Sequence, residues 1–234
     1  NRPSPIDGYF GAVYYIGPIF TAFRGTPEAS QFYSLLRQEI DERVRLGKGP
    51  ITPDGEMGEE KYRLVTEGPP NWTSFRDFWK MFYDEGAVVV ASTYAKVGGV
   101  YDFGFRHDPD HPLESLAEYC LGCYTNLNLP SRIDMICKYI DEYQADGLLI
   151  NSIKSCNSFS AGQLLILREV EKRTGKPAAF IETDLVDPRY FSAANVKNRL
   201  ESYFQMVKAK RGAVGAGLSV PMASLGPAVI PISP

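Results

Sequence analysis

Apolar positions recur at helical spacing from Pro27 onward. Phe32, Leu35, Leu36, Ile40 and Val44 form one stripe, and Gly47-Lys48-Gly49-Pro50 closes it, which predicts an amphipathic helix of about 20 residues. The preceding segment, residues 8–23, is apolar and aromatic but interrupted by Gly11, Gly17 and Pro18. It reads as a broken helix or a packed loop.

After Pro53 strand and helix patterns alternate. Tyr62 to Thr66 reads as a short strand running into Glu67-Gly68-Pro69-Pro70, and Ser74 with Asp77 opens an aromatic-rich helix through Met81 and Phe82. The run Ala87-Val88-Val89-Val90-Ala91 suits a strand buried on both faces. Residues 98–112 read as loop, and Ser115 with Glu118 as a helix cap. Pro130-Ser131 with Asp134 starts a helix striped by Ile133, Ile136, Cys137, Ile140 and Tyr143. Asp146-Gly147 turns into the strand Leu148-Leu149-Ile150. Ser160 with Gln163 has the capping-box pattern for a helix that ends at Gly175. A fourth strand covers residues 177–181, and Val196, Leu200, Phe204 and Val207 share one face of a last helix.

This alternation predicts an α/β fold: a parallel sheet of about four strands flanked by helices in a three-layer, Rossmann- or flavodoxin-like arrangement, with an N-terminal helical segment. Ligands in such sheets bind beyond the carboxyl ends of the strands. Four loops therefore hold the candidate chemistry: residues 67–73, 92–101, 151–159 and 182–190.

Composition narrows the function classes. The 234 residues carry 25 Lys and Arg against 28 Asp and Glu, a net charge of −3. No basic stripe for nucleic acid or an anionic membrane surface is present. Four cysteines are too few for a disulfide framework, so a reducing cytoplasm is expected. The chain opens Asn1-Arg2-Pro3 without a signal region, which reads as a fragment of something longer. Residues 212–234 lack charge and carry four glycines and four prolines, and read as a disordered or artificial tail rather than a membrane span.

Among chemical groups, Cys156 stands out. It follows a buried strand and precedes a helix N-terminus, where the helix dipole and Lys154 would both favour a thiolate able to act as nucleophile or metal ligand; an inert buried thiol is the alternative. Cys120-Leu121-Gly122-Cys123 has the spacing of a metal or redox pair but no matching second pair, since Cys137 and Cys156 are 19 positions apart. Cys137 lies on an apolar stripe and reads as core. His107 and His111 lie in a stretch with two prolines, Pro109 and Pro112, and read as a solvated loop, and with so few histidines a Ser-His-Asp or Cys-His arrangement is poorly supported. Neither a phosphate-binding GxxxxGK[ST] loop nor a dinucleotide-type glycine motif occurs. Asn71-Trp72-Thr73 is a chance glycosylation match.

The run Ala145-Asp146-Gly147-Leu148-Leu149-Ile150-Asn151-Ser152-Ile153-Lys154-Ser155-Cys156-Asn157-Ser158-Phe159, followed by Ile181-Glu182-Thr183-Asp184 and Asn195-Val196-Lys197-Asn198-Arg199-Leu200-Glu201, resembles the C-terminal half of the benzoyl-CoA reductase and 2-hydroxyacyl-CoA dehydratase family. The resemblance covers most of residues 27–207. Val88-Val89-Val90-Ala91-Ser92-Thr93-Tyr94, Glu118-Tyr119-Cys120-Leu121-Gly122-Cys123-Tyr124 and the Cys156 loop look most like the B-type subunits of its benzoyl-CoA reductase branch.

The resemblance implies an oxidoreductase subunit that works beside a similar partner subunit. A separate ATP-hydrolysing iron–sulfur activator would feed single electrons to a [4Fe-4S] cluster, and from there to an aromatic acyl-CoA thioester, giving a cyclic dienoyl-CoA. ATP would enter only through that activator. Cys156 would be a cluster ligand, with Cys120 and Cys123 as further candidates, and the remaining ligands would come from an N-terminal domain that this chain lacks. Gly68, Pro69, Lys154 and Glu182 would face the CoA thioester, with Asp184 ending the same strand as Glu182. No catalytic residue is assigned. The implied layout is a helical connecting segment at 1–52, an α/β domain contributing to the iron–sulfur site at 53–208 and a tail at 209–234, the fragment alone being inactive. Two alternatives stay open: a dehydratase acting on a 2-hydroxyacyl-CoA, and a cluster-free structural subunit.

Overall fold

The computed structural model describes residues 1–9, 11, 25–52, 55–94, 101 and 103–215. Helix α1 spans Pro27–Leu46, followed by a small antiparallel pair, β1 (Ile51–Thr52) and β2 (Gly55–Glu56). The main body then runs β3 (Tyr62–Glu67), α2 (Phe75–Asp84), β4 (Ala87–Ser92), α3 (Pro112–Leu121), α4 (Leu129–Glu142) and β5 (Gly147–Ile153). It closes with the one-turn α5 (Asn157–Ser160), α6 (Gln163–Thr174), β6 (Ala178–Thr183) and α7 (Ala193–Gly215).

Strands β3 to β6 form one parallel sheet in the order β4-β3-β5-β6. The chain moves one way from β3 to β4 and the other way from β4 to β6. Right-handed crossovers then put α2 on one face and α4 and α6 on the other. Side-chain alternation serves both layers. Val65, Leu148 and Ile150 pack with Ile136, Tyr139, Ile166 and Val170 of α4 and α6. Leu64, Val89 and Leu149 pack with Phe78 and Phe82 of α2 and with Val196, Leu200, Phe204 and Val207 of α7. Each fully buried Leu, Ile or Val contributes about 1.5–3 kcal/mol. The expected α/β three-layer fold is therefore what forms, and each of the four main strands overlaps the segment expected for it.

The reversal of direction makes β3 and β5 the topological switch point of a flavodoxin-type strand order, the usual crevice for ligands. The four loops singled out from the sequence all leave the same edge of the sheet, although residues 95–100 of one of them lie outside the described residues.

Three local expectations differ. Ser115 does not cap α3, which begins at Pro112; its hydroxyl instead accepts from the Asp108 N–H at 2.9 Å. Helix α4 is capped by Asn128, whose side chain accepts from the Ser131 N–H, because Pro130 can occupy the first turn but offers no capping oxygen. The Ser160 and Gln163 capping box does not form either: Gly162 precedes α6 in the left-handed region (φ 81°), and the Gln163 side chain is engaged elsewhere.

The N-terminal part joins the core through Tyr9, which is fully buried against Phe78 and Phe82. Asp7 anchors it, accepting from the Trp79 Nε1–H at 3.1 Å and the Val89 N–H at 2.9 Å. Most of the broken segment at 8–23 lies outside the described residues. Helix α1 forms as expected, yet its apolar stripe is uncovered, with Leu35 58% exposed. Helix α7 runs through Gly215, and the rest of the expected tail, 216–234, lies outside the described residues. Among the described residues no helix is long and apolar enough to cross a membrane.

Candidate functional site

Cys156 sits in the turn between β5 and α5, half-buried, with its N–H bonded to the Ile153 carbonyl at 3.1 Å. Two features expected to activate it are weaker than the sequence implied. Helix α5 is a single turn and supplies little dipole. The Lys154 ammonium turns to Glu182 at 3.7 Å and to the Tyr190 ring at 5.4 Å.

Arg132 fastens this loop to the segment that follows α3. Its guanidinium donates to the Ser158, Leu127 and Thr125 carbonyls at 2.9, 3.1 and 2.5 Å and lies 5.2 Å from the Tyr124 ring centre. Tyr124 in turn stacks on Phe159 at 6.0 Å. The Cys120–Cys123 segment and the Cys156 loop are thus drawn to one side of the sheet edge. Cys120 is exposed, Cys123 donates to the Tyr119 carbonyl at 3.4 Å, and burial together with the neighbouring Cys120 pushes the Cys123 thiol up.

At the switch point lies a residue that sequence reasoning passed over. Glu67 ends β3 fully buried and receives hydrogen bonds from the Tyr124 hydroxyl at 3.2 Å and from the Gln163 side-chain amide. Burial pushes its carboxyl up to about 8, against the opposing pull of Gln163, Tyr124 and Arg132. At neutral pH it is therefore largely a protonated acid held at the centre of the edge. Next to it Gln163 Oε1 and Asn71 Nδ2 are buried without a protein partner. The burial of Asn71 also puts its sequon out of reach.

Gly68 follows in the left-handed region (φ 91°), and a Cβ there would overlap the Asn151 carbonyl oxygen. Only glycine lets β3 and β5 come this close at their ends. Asn151 also donates to the Pro69 carbonyl at 2.6 Å and accepts from the Thr183 hydroxyl at 2.9 Å, tying β3, β5 and β6 together. Gly68 and Pro69 are buried in consequence, whereas Lys154 and Glu182 stand on the exposed rim.

Asp184 has a defined structural task. Its carboxylate accepts from the Val186, Asp187 and Ser155 N–H groups at 3.0–3.1 Å, and these bonds, that of Val186 foremost, hold it down at about 2. Through Ser155 it fixes the Cys156 loop to the end of β6. The histidines form no joint site: His107 lies among Tyr101, Phe105 and Tyr119, while His111 pairs with Asp108 at 3.0 Å. Among the described residues no three His, Cys, Asp or Glu side chains converge on a point that could hold a metal ion. The described residues therefore do not by themselves fit a four-iron cluster, which takes about four cysteine ligands.

A single signal could have exposed Glu67 from sequence, namely an acidic residue closing a strand and running straight into the Gly68-Pro69-Pro70 turn. Arg132, Tyr124 and Gln163 carried none, because each reads as an ordinary helix or loop residue until the chain is folded.

Comparison with known proteins places these features in a family. The profile described as "2-hydroxyglutaryl-CoA dehydratase, D-component" matches residues 1–207. The chain is 78% identical to the B-type subunit of benzoyl-CoA reductase from Thauera aromatica over 219 residues, 94% of this chain and 50% of that protein. It is 27% identical to the (R)-phenyllactyl-CoA dehydratase alpha subunit of Clostridium sporogenes, covering 91% of this chain and 48% of that one. With the alpha subunit of (R)-2-hydroxyglutaryl-CoA dehydratase from Acidaminococcus fermentans it shares 25% identity, over 89% and 40%. The chain spans about half the length of the curated relatives it matches.

Proposed function

Because the chain belongs to the 2-hydroxyglutaryl-CoA dehydratase D-component family, we propose that it works as part of a benzoyl-CoA reductase subunit, in a complex that reduces an aromatic acyl-CoA to a cyclic dienoyl-CoA. The observation that carries this reading is the 78% identity to a benzoyl-CoA reductase subunit, against 27% or less to the dehydratase subunits. The complex would contain a similar partner subunit and draw on an ATP-hydrolysing iron–sulfur activator, in the cytoplasm.

Within that complex Cys156 is this chain's contribution to a [4Fe-4S] cluster whose other ligands are supplied elsewhere, with Cys120 and Cys123 as secondary candidates. The chain alone is accordingly inactive. Lys154 and Glu182 on the rim meet the thioester substrate, while Gly68 and Pro69 shape the floor beneath it. Glu67 keeps a proton buried at the centre of the same edge, and Arg132 and Asp184 hold the Cys156 loop in place from either side.

The test uses the complete complex, assembled without oxygen and supplied with activator, ATP and reductant. Turnover of benzoyl-CoA, with none of a 2-hydroxyacyl-CoA, is the expected result; the reverse preference would replace the reading by a dehydratase. Cys156→Ser is expected to lower the iron content of the complex. Unchanged iron would remove Cys156 from the ligand set, and a wild-type complex free of iron would leave a structural subunit.

A further inference from the structure

A second concavity lies at the far side of the same edge, beyond the end of β6. It has a volume of about 230 Å³, and Lys154, Glu182, Arg189, Tyr190, Ser192 and Arg199 are among the residues that line it. Three cations thus line it with one carboxylate, Glu182, and a second, Asp187, stands against Arg189. Helix α7 begins beside it: the Ser192 carbonyl accepts from the Val196 N–H at 2.9 Å, so Ser192 is the last residue before the helix. The first N–H groups of a helix have no partner within it; the Ser192 hydroxyl accepts from that of Asn195 at 3.5 Å, and the 23-residue helix adds its positive end to this side of the concavity.

None of the three cations is committed in a way that bars a ligand. Arg189 is paired with Asp187 at 2.5 Å, on a side chain 85% exposed. Lys154 lies 3.7 Å from Glu182, with both side chains about half exposed. Arg199 donates one Nη1–H to the Phe180 carbonyl at 2.9 Å, leaving the rest of its fork. The half-exposed Lys154–Glu182 pair is worth less than about 1 kcal/mol, whereas charge-assisted bonds from several cations to a phosphoryl dianion act together. Asp184, a third carboxylate nearby after Glu182 and Asp187, is spent on backbone N–H groups.

From this arrangement we infer that the concavity between β6 and the start of α7 is a phosphoryl-binding subsite, in which Lys154, Arg189 and Arg199 grip a phosphate or diphosphate group over the helix N-terminus. Glu182 at its wall holds Lys154 in place when the site is empty and opposes the anion when it is full. The same chemistry is offered by the phosphates of a CoA thioester and by free phosphate or diphosphate. Identification with the CoA end rests on the proposed function; the subsite itself does not.

Binding is measured by calorimetry on the complete complex with four probes: CoA, dephospho-CoA, inorganic diphosphate and a phosphate-free pantetheine thioester. Arg199→Ala is expected to weaken CoA about tenfold, as one lost charge-assisted contact would, and to leave pantetheine-thioester affinity unchanged, while Lys154→Ala is expected to weaken inorganic diphosphate about tenfold. Glu182→Gln is expected to tighten CoA and diphosphate several-fold, a gain that misfolding cannot mimic. Variants that bind CoA and diphosphate as the wild type does would overturn the subsite. Diphosphate binding that responds to the substitutions while CoA binding does not would keep the subsite and assign it to a free anion. Failure of the complex to reduce benzoyl-CoA, with these affinities shifting as stated, would defeat the proposed function and leave the subsite standing.

Discussion

Two acids end neighbouring stretches of the same sheet edge and meet opposite fates. Glu67 closes β3 at the centre, fully buried, and its carboxyl is pushed up to about 8. Asp184 follows β6 at the side, receives three backbone N–H groups, and is held at about 2. Position at a strand end is common to both. What separates them is the supply of donors: oriented backbone dipoles compensate one charge, whereas a phenol, an amide and a more distant guanidinium do not offset desolvation at the other. The centre of the edge is therefore a sealed, neutral network and its flank an open, ionic one. This division suits a site in which protons are kept under the substrate and anions are gripped beside it.

The largest test of the sealed centre is Gly68→Ala. The substitution must place a Cβ against the Asn151 carbonyl in a backbone region that L-residues avoid, so it strains both φ and strand separation. The two costs together are expected to reach about 3 kcal/mol or more. Urea denaturation of the chain would read this directly, and a loss below about 1 kcal/mol would show that the centre is not tightly packed.

Glu67→Gln sharpens the same comparison through pH. The folded wild type holds a proton on Glu67 up to about pH 8, while the unfolded chain releases it near the ordinary carboxylate value. The unfolded state therefore binds fewer protons within that window, and stability falls as pH rises through it, by at most about 1.4 kcal/mol per pH unit. The glutamine variant lacks this slope. Its stability relative to wild type should thus improve between about pH 5 and about pH 8 and level off above that, and parallel stability profiles would show that Glu67 is ionised in the folded protein.

These contrasts mark how far the sequence could be read. The strands and the apolar faces of α4 and α7 were legible because periodicity is local: Val196, Leu200, Phe204 and Val207 stay three or four residues apart and all become buried. Cys156 was legible as the thiol after a buried strand. The network was not, because its bonds join Glu67 to Tyr124 and Gln163 across separations of 57 and 96 residues, and the Gln163 pattern pointed to a cap instead. The uncovered stripe of α1 shows the converse: periodicity fixes a helix and its face without saying what the face meets.

The smallest expected effect belongs to the open flank. Lys154 and Glu182 lie 3.7 Å apart with both side chains about half exposed, so water screens the pair and each side chain loses rotamer freedom in forming it. A double-mutant cycle with Lys154→Ala and Glu182→Ala should give a coupling below about 0.5 kcal/mol, declining further in high salt. A coupling above about 2 kcal/mol would mean that the flank is sealed in the same sense as the centre, and the division between a proton-keeping core and an anion-gripping rim would fail. Weak coupling is what the subsite requires, because a cation that is cheaply released from Glu182 is free to exchange one anionic partner for another.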